Sequence, residues 1–179
     1  MVNEHAAALK AMALCRSLSG AELDAIAEIV SMQDLAAGKE LFREGAPGDG
    51  LYLVVAGEIE IIKRGPRGDR SLARMAVGGV LGEMSLITAE ARSATGRAVV
   101  DSRVLRLPAQ RFRLLIDGGS TAALKIAAAI AEVLARRLAA MNTMALELAD
   151  KVDPAGSKLP ELKDTELAGM YRTMQVWSF

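Results

Sequence analysis

The middle of the chain, residues 32–107, consists of short β-prone runs separated by glycine, proline and aspartate. The clearest runs are Leu51–Ala56, Glu58–Lys63, Ser71–Val77 and Ala98–Leu107. Between two of them, residues 65–69 read Gly-Pro-Arg-Gly-Asp, a composition typical of a hairpin loop. Many short antiparallel strands joined by tight turns and glycine bends favour a sheet that closes on itself. The pattern therefore predicts a closed roll or a barrel-like sandwich.

Helical patterns flank this β region on both sides. Upstream, residues 4–30 carry Ser19 and Glu22 at the spacing of a capping box, just ahead of an apolar helical stripe. Downstream, Pro108–Ile116 and Thr121–Ala149 predict one short and one long helix. The predicted fold class is α+β: an antiparallel β-roll, of the double-stranded β-helix or jelly-roll type, with N-terminal helices and a long C-terminal helix.

We divide the chain into four segments on this basis. They are an N-terminal helical segment (1–31), the β-roll (32–107), the C-terminal helices (108–149), and a linker with a short helix or tail (150–179). The tail carries the only tryptophan, Trp177, so two hypotheses stand for it: a disordered end, or a segment that docks on the roll or on a partner subunit.

Residues 81–95 carry the strongest functional signal. A carboxylate, Glu83, and a guanidinium, Arg92, lie on either side of a segment predicted to begin as a short helix over Glu83–Ile87. Arginine suits a phosphate because its planar fork gives paired N–H donors, and an ionised glutamate suits a ribose hydroxyl. Small residues let backbone N–H groups approach phosphate oxygens, and three lie here: Gly82, Ser93 and Ala94. A nucleoside cyclic monophosphate requires this combination.

This stretch resembles the phosphate-binding cassette of the cyclic nucleotide-binding domain family. That family includes the bacterial catabolite activator and the regulatory domains of cyclic-nucleotide-dependent kinases and channels. The matching residues are Leu81-Gly82-Glu83-Met84-Ser85-Leu86 and Arg92-Ser93-Ala94-Thr95, with Ala91 where relatives often carry proline. A second family motif precedes it in the right order, from Phe42 through Gly48-Asp49 to Tyr52 and Gly57. The resemblance covers residues 15–148.

The resemblance implies a ligand site and a mechanism. From the cassette it implies six binding residues: Gly82, Glu83, Met84, Arg92, Ser93 and Ala94. Strand parity and the resemblance add Ile61 and Ala73 on the wall of the roll, and the long helix adds Asn142 as a contact to the base. Ser93 stands where a threonine often accompanies cGMP preference, which favours cAMP over cGMP. The implied mechanism is a sensor: ligand draws the cassette inward, and the C-terminal helices change position and report to an effector protein of unknown identity.

The long helix predicts a partner. Its apolar residues step alternately by three and four: Leu124, Ala127, Ala131, Leu134, Leu138, Met141, Ala145 and Leu148. This period is typical of a two-stranded coiled coil and predicts a parallel homodimer through residues 121–149. The alternative is a helix that packs on its own roll, which favours a broader apolar stripe.

Several function classes are not expected. The 22 basic and 22 acidic residues give no net charge, so no basic surplus indicates binding to nucleic acid or an anionic membrane. About 30 residues follow the long helix, too few for the helix-turn-helix module that relatives use on DNA. His5 is the only histidine, which argues against an enzyme, catalytic residues, a metal site or a cofactor. The lone Cys15 and the lack of a signal peptide or transmembrane run favour the cytoplasm. The chain would then be a stand-alone sensor or the regulatory part of a larger protein.

One alternative function remains open. A β-roll can lose its ligand and persist as a dimerisation or interaction module. Such a module would keep the fold while Arg92 is bound internally or side chains fill the pocket.

Overall fold

The protein is described here by a computed structural model covering residues 2–88 and 90–152. The predicted tail hypotheses concern residues that lie outside this described part. The chain divides into two compact units, Met1–Val133 and Leu134–Phe179. In the second unit, the described residues all belong to the last part of one long helix.

Five helices and eight strands make up the described chain. The helices are α1 (Val2–Ala11), α2 (Gly20–Ala27), α3 (Glu83–Thr88), α4 (Ala109–Asp117) and α5 (Thr121–Val152), with a short 3₁₀ turn at Ala13–Cys15. The strands are β1 (Ser31–Leu35), β2 (Glu40–Phe42), β3 (Gly50–Ala56), β4 (Ile59–Gly65), β5 (Gly68–Met75), β6 (Val80–Leu81), β7 (Thr95–Ala98) and β8 (Ser102–Pro108).

The strands form two four-stranded antiparallel sheets. Their orders are β1-β8-β3-β6 and β2-β7-β4-β5. Buried side chains from both sheets meet in one core cluster: Leu35, Tyr52, Val54, Ile59, Leu81, Ala98 and Val104. Leu41, Phe42, Ile61 and Met75 pack against that cluster. The predicted α+β fold, an antiparallel β-roll with N-terminal helices and a long C-terminal helix, is confirmed.

One predicted strand is wrong. Ala98–Leu107 is not a single strand, because it breaks after Ala98 and resumes at Ser102 in the other sheet. Polar groups stabilise the break: the Ser102 hydroxyl donates to the Val100 carbonyl at 2.7 Å, and the Asp101 carboxylate accepts the Ala37 N–H at 2.8 Å. The sequence does not reveal this corner, because the residues on each side of it alternate between apolar and polar as they do in a strand.

The N-terminal helices are fixed by the predicted capping box. The Ser19 N–H donates to the Glu22 carboxylate at 2.7 Å, and the Glu22 N–H donates to the Ser19 hydroxyl at 3.4 Å. Lys125, on α5, donates to both oxygens of the same carboxylate at 2.8 and 2.9 Å. The Lys125 hydrogen bond is the largest of the causes that hold the pKa of Glu22 below its usual value. The helical pattern predicted over residues 4–30 corresponds to two helices, α1 and α2, with the 3₁₀ turn between them.

The long helix α5 has a buried part and an exposed apolar row. Its first turns bury Ala122, Ala123, Ile126 and Ile130. Two positions of the predicted coiled-coil seam, Leu138 and Met141, are 59% and 66% exposed in the single chain. In the described chain, no individual helix combines the length and apolar content needed to cross a bilayer; α4 and residues 121–147 of α5 meet those limits only as a pair bent by 117°.

We predict that Gly57→Ala destabilises the roll. Gly57 has a φ of 81°, and a Cβ there would lie 2.6 Å from the Asp101 carbonyl oxygen and 2.7 Å from the Ser102 Cα. We expect a loss of about 2–4 kcal/mol in the free energy of unfolding, measured by urea denaturation.

The matched control is Gly38→Ala. Gly38 has a similar φ of 77°, but a Cβ there has no atom within 4 Å. Only the conformational cost applies to it, about 1 kcal/mol. Equal losses in the two variants would show that the contact with the 101–102 corner does not matter.

Candidate functional site

The two motifs of the sequence lie side by side. The cassette, residues 81–95, pairs with the turn that precedes β3. The Gly45 N–H donates to the Arg92 carbonyl at 2.8 Å, and the Arg92 N–H donates to the Ala46 carbonyl at 2.8 Å. The Glu44 N–H donates to the Thr95 hydroxyl at 3.0 Å. These bonds fix the backbone of the cassette on both sides of Arg92.

The Arg92 guanidinium is buried and fully engaged at its outer nitrogens. The residue is 3% exposed. Its Nη2 donates to the Asp49 carboxylate at 2.6 Å and to the Gly50 carbonyl at 2.8 Å, while Nη1 donates to the Gly82 carbonyl at 3.4 Å. Arginine keeps its proton under these conditions, so a full positive charge lies inside the roll.

Two aromatic rings flank this charge. The guanidinium carbon lies 4.5 Å from the centroid of the Phe42 ring and 5.3 Å from that of Tyr52. The two rings are stacked with centroids 5.8 Å apart. Rings at these distances stabilise the cation through their negative faces and exclude water from it. Arg92 therefore has a defined position before any ligand arrives.

Asp49 is shared between two arginines. Its second oxygen accepts a hydrogen bond from Nη2 of Arg106, on β8, at 2.8 Å. Partial burial raises the pKa of Asp49. The Arg92 hydrogen bond and the charge of Arg106 outweigh this effect and hold the pKa below its usual value. The Tyr52 hydroxyl donates to the same carboxylate at 3.3 Å, and burial together with the Asp49 charge raises the pKa of Tyr52. Asp49 stays ionised at neutral pH.

Gly82 permits the close approach of the cassette to Arg92. Its φ is 72°, and a Cβ at this position would collide with Nη1 of Arg92 and lie 3.0 Å from the Gly50 carbonyl oxygen. A larger residue would force the guanidinium out of its present position.

The other predicted cassette residues precede or follow Arg92 in the sequence, and their side chains differ in solvent exposure. Glu83 is the first residue of α3 and is 6% exposed. Ala94 is buried, Met84 is half-buried, and Ser93 is exposed. The Ser93 carbonyl accepts a hydrogen bond from the Lys63 amine at 2.7 Å.

The remaining predicted site residues lie outside the cassette. Ile61 and Ala73 are direct cross-strand partners on β4 and β5, so they share one face of the sheet, and Ile61 packs against the core cluster. Asn142 belongs to the second unit, where its side chain is exposed. The binding roles of all nine residues stay predictions.

The contacts that hold Arg92 were not predicted from the sequence. Phe42, Asp49 and Tyr52 are positions of the family motif that precedes the cassette, but the motif by itself does not predict that they contact Arg92. Arg106 gave no signal at all, since it lies within a β-prone run of ordinary composition. The contact between Asp49 and Arg92 spans 43 positions, and only the tertiary fold brings them together.

A cleft of about 440 Å³ is bordered by the second sheet and by the turn before β3. It is lined by Glu40, Arg43, Glu44, Gly45, Ile62, Arg64, Asp69, Thr95 and Arg97. Neither Glu83 nor Arg92 lines it, and several of its charges are paired with each other, as in the Arg43–Glu40 and Lys63–Glu44 contacts at its edge. Within residues 2–88 and 90–152, no group of three or more His, Cys, Asp and Glu side chains is arranged to hold a metal ion.

Comparisons with known proteins identify the family of this chain. Residues 32–118 match the family described as "Cyclic nucleotide-binding domain". The "Cyclic AMP receptor protein" of Thermus thermophilus is 33% identical over 131 residues, which cover 73% of this chain and 59% of that relative. The chain thus spans less than two thirds of the length of such curated relatives.

Solved structures extend the likeness. The "Cyclic nucleotide-binding-like protein" of Brucella abortus is 31% identical, with a TM-score of 0.55 over 64% of this chain and 98% of that one. A cyclic nucleotide-binding domain from Methylobacillus flagellatus is 25% identical, with a TM-score of 0.68 over 90% of this chain and 86% of that one. The chain belongs to the cyclic nucleotide-binding domain family.

Proposed function

We propose that the chain binds a cyclic nucleotide, with cAMP favoured over cGMP, and acts as a regulatory module rather than as an enzyme. One observation carries this proposal: the Nε of Arg92 is buried and has no hydrogen-bond partner in the described part of the chain. A buried donor without an acceptor costs free energy, and native proteins rarely leave one. A phosphate oxygen beside the guanidinium would supply the missing acceptor through a charge-assisted bond.

Sharing of Asp49 makes this binding energetically accessible. A phosphate that takes over one of the Arg92 bonds weakens the Arg92–Asp49 pair, which would be costly if it left a carboxylate buried and alone. Asp49 keeps Arg106 as a second partner at 2.8 Å, and its side chain is half exposed. A phosphate can therefore replace Asp49 at Arg92 without leaving the Asp49 carboxylate buried and unpaired.

A second function is favoured by the same residue. Arg92 is bound internally to Asp49 and Gly50, and Phe42 and Ile61 pack on the core inside the roll. This arrangement is the one expected of a ligand-free interaction module. The two functions differ in whether the internal contacts yield to a nucleotide.

Signal output, in this proposal, requires no covalent chemistry or cofactor. The nucleotide binds the cassette more tightly in one arrangement of the C-terminal helices than in another, and the difference shifts their equilibrium by the few kcal/mol typical of coupled sites, about 1–3. An effector protein reads the new arrangement. A base contact from Asn142, a cytoplasmic location and the absence of DNA or membrane binding belong to this proposal as predictions.

We predict that the purified chain binds cAMP more tightly than cGMP in parallel calorimetric titrations. The expectation rests on the resemblance to the family: Ser93 follows the arginine, where relatives with cGMP preference often carry threonine. The Ser93 hydroxyl can itself serve either a phosphate or a guanine edge. Absence of binding by either nucleotide at millimolar concentration would favour the interaction module. Tighter binding of cGMP would leave the family function in place and reverse only the base preference.

We predict that Arg92→Ala nearly abolishes nucleotide binding, because a buried phosphate loses its charged partner at a cost of several kcal/mol, about 2–5. Glu83→Ala should cost less, about 1–3 kcal/mol, since a ribose hydroxyl can keep water in place of the carboxylate. Calorimetric titration of both variants measures these losses.

Because Arg92 is buried, the alanine variant needs a control for folding. Arg92→Lys keeps the charge but removes the paired donors, so we expect intermediate affinity with a thermal midpoint near the native one. A folded Arg92→Ala variant that keeps the native affinity would show that the phosphate binds elsewhere.

We predict that the chain forms a homodimer through residues 121–149. Leu138→Glu places a charge in the seam and should convert the dimer to a monomer in sedimentation equilibrium. The matched control is Leu146→Glu, because Leu146 is equally apolar and 68% exposed but lies off the seam. A monomeric wild-type chain, or equal effects of the two substitutions, would contradict the coiled-coil interface.

A further inference from the structure

Lys63 joins three separate segments at the rim of the cassette. Its amine donates to the Glu44 carboxylate at 2.8 Å and to the Ser93 carbonyl at 2.7 Å. Lys63 lies on β4, Glu44 in the turn before β3, and Ser93 in the cassette directly after Arg92. None of these contacts was anticipated from the sequence.

Glu44 is itself held from two directions. Its second carboxylate oxygen accepts the backbone N–H of Arg64 at 3.0 Å, and its own N–H donates to the Thr95 hydroxyl at 3.0 Å. The Lys63 hydrogen bond, followed by the Arg64 N–H, holds the pKa of Glu44 below its usual value. The carboxylate therefore stays ionised at neutral pH and keeps the Lys63 amine in place.

A carbonyl held in this way also fixes a neighbouring donor. The peptide unit between Ser93 and Ala94 is planar and trans, so the Ser93 C=O and the Ala94 N–H point in opposite directions. When Lys63 holds the carbonyl oxygen on one side, the Ala94 N–H is directed to the other. Ala94 is one of the small residues whose N–H is expected to reach the phosphate, and it is 7% exposed.

We propose that Lys63 and Glu44 are positioning residues that orient the Ser93–Ala94 peptide for phosphate binding. The proposal rests on the cassette being a nucleotide site, and it adds two residues that touch no ligand. A donor aimed at the phosphate before binding adds affinity because no ordering has to follow.

The bridge should matter for orientation more than for stability. The Lys63 and Glu44 side chains are 45% and 30% exposed, and ion pairs with this exposure contribute little to folding and are screened by salt. We expect Lys63→Met to lower cAMP affinity by about three- to tenfold with little change in the thermal midpoint.

The test compares Lys63→Met and Glu44→Gln with Arg64→Met. Methionine keeps the apolar stem of lysine but removes the amine, and Arg64 adjoins the network through its backbone N–H, which Arg64→Met retains. Two readouts are measured: cAMP affinity at low and high salt, and amide hydrogen exchange at Ala94 and Thr95 in the nucleotide-free protein.

The expected result is weaker binding and faster exchange at Ala94 in Lys63→Met and Glu44→Gln, but not in Arg64→Met. The difference in cAMP affinity between the wild type and the Lys63→Met or Glu44→Gln variant should become smaller at high salt. A variant with both substitutions should lose less binding free energy than the sum of the two single losses, because both residues act through one bridge. If Lys63→Met matches Arg64→Met in exchange and affinity, the proposal is overturned. If the wild-type chain binds no nucleotide, the proposed function fails, while exchange at Ala94 still decides whether the bridge orients the peptide.

Discussion

A charged guanidinium inside the roll sets the requirements for the structure around it. Burying a cation is unfavourable unless hydrogen bonds and an opposite charge compensate it. For Arg92 that compensation comes from Asp49, the Gly50 and Gly82 carbonyls, and the faces of two aromatic rings. These groups come from β2, from the turn before β3, from β3 itself and from the start of the cassette. The position of one side chain thus depends on the correct packing of both family motifs.

The contacts that compensate the Arg92 charge are compatible with both candidate functions, nucleotide binding and a ligand-free interaction module. A site prepared for an anion must hold its cation in place when the anion is absent, and the simplest internal substitute is a carboxylate. In the proposed function Asp49 is that substitute, and its bond to Arg106 would leave it a partner if Arg92 bound another anion. An interaction module that has lost its ligand would have no need of the second arginine, since a single pair already neutralises both charges. The second arginine on Asp49 is the feature by which the proposed nucleotide site differs from such a module.

Local sequence patterns predicted most of the elements and singled out Glu83 and Arg92 as cassette residues. The capping box of Ser19 and Glu22 follows from a three-residue spacing, and the helix α3 with Glu83 at its start follows from a contiguous motif. The patterns failed where the decision is tertiary. Nothing local to Ala98–Leu107 shows that its halves belong to different sheets, and nothing local to Lys63 shows that its amine reaches a carbonyl 30 positions away. Contacts between residues so far apart in the sequence depend on how the two sheets close. The alternation of apolar residues along each strand does not encode that closure.

The pairing of β1 has a consequence for how the chain reaches its native state. This edge strand is bonded only to β8 within the described sheets, and the ion pair between Asp34 and Arg103 closes a separation of 69 positions. Loop closure over such a length must precede any stabilising contact, so roll formation is governed by non-local contacts and is slow compared with that of a helical bundle. During synthesis, the backbone N–H and C=O groups of β1 have no partner strand until β8 has left the ribosome. This topology therefore leaves β1 open to chaperone binding or transient self-association before β8 pairs with it.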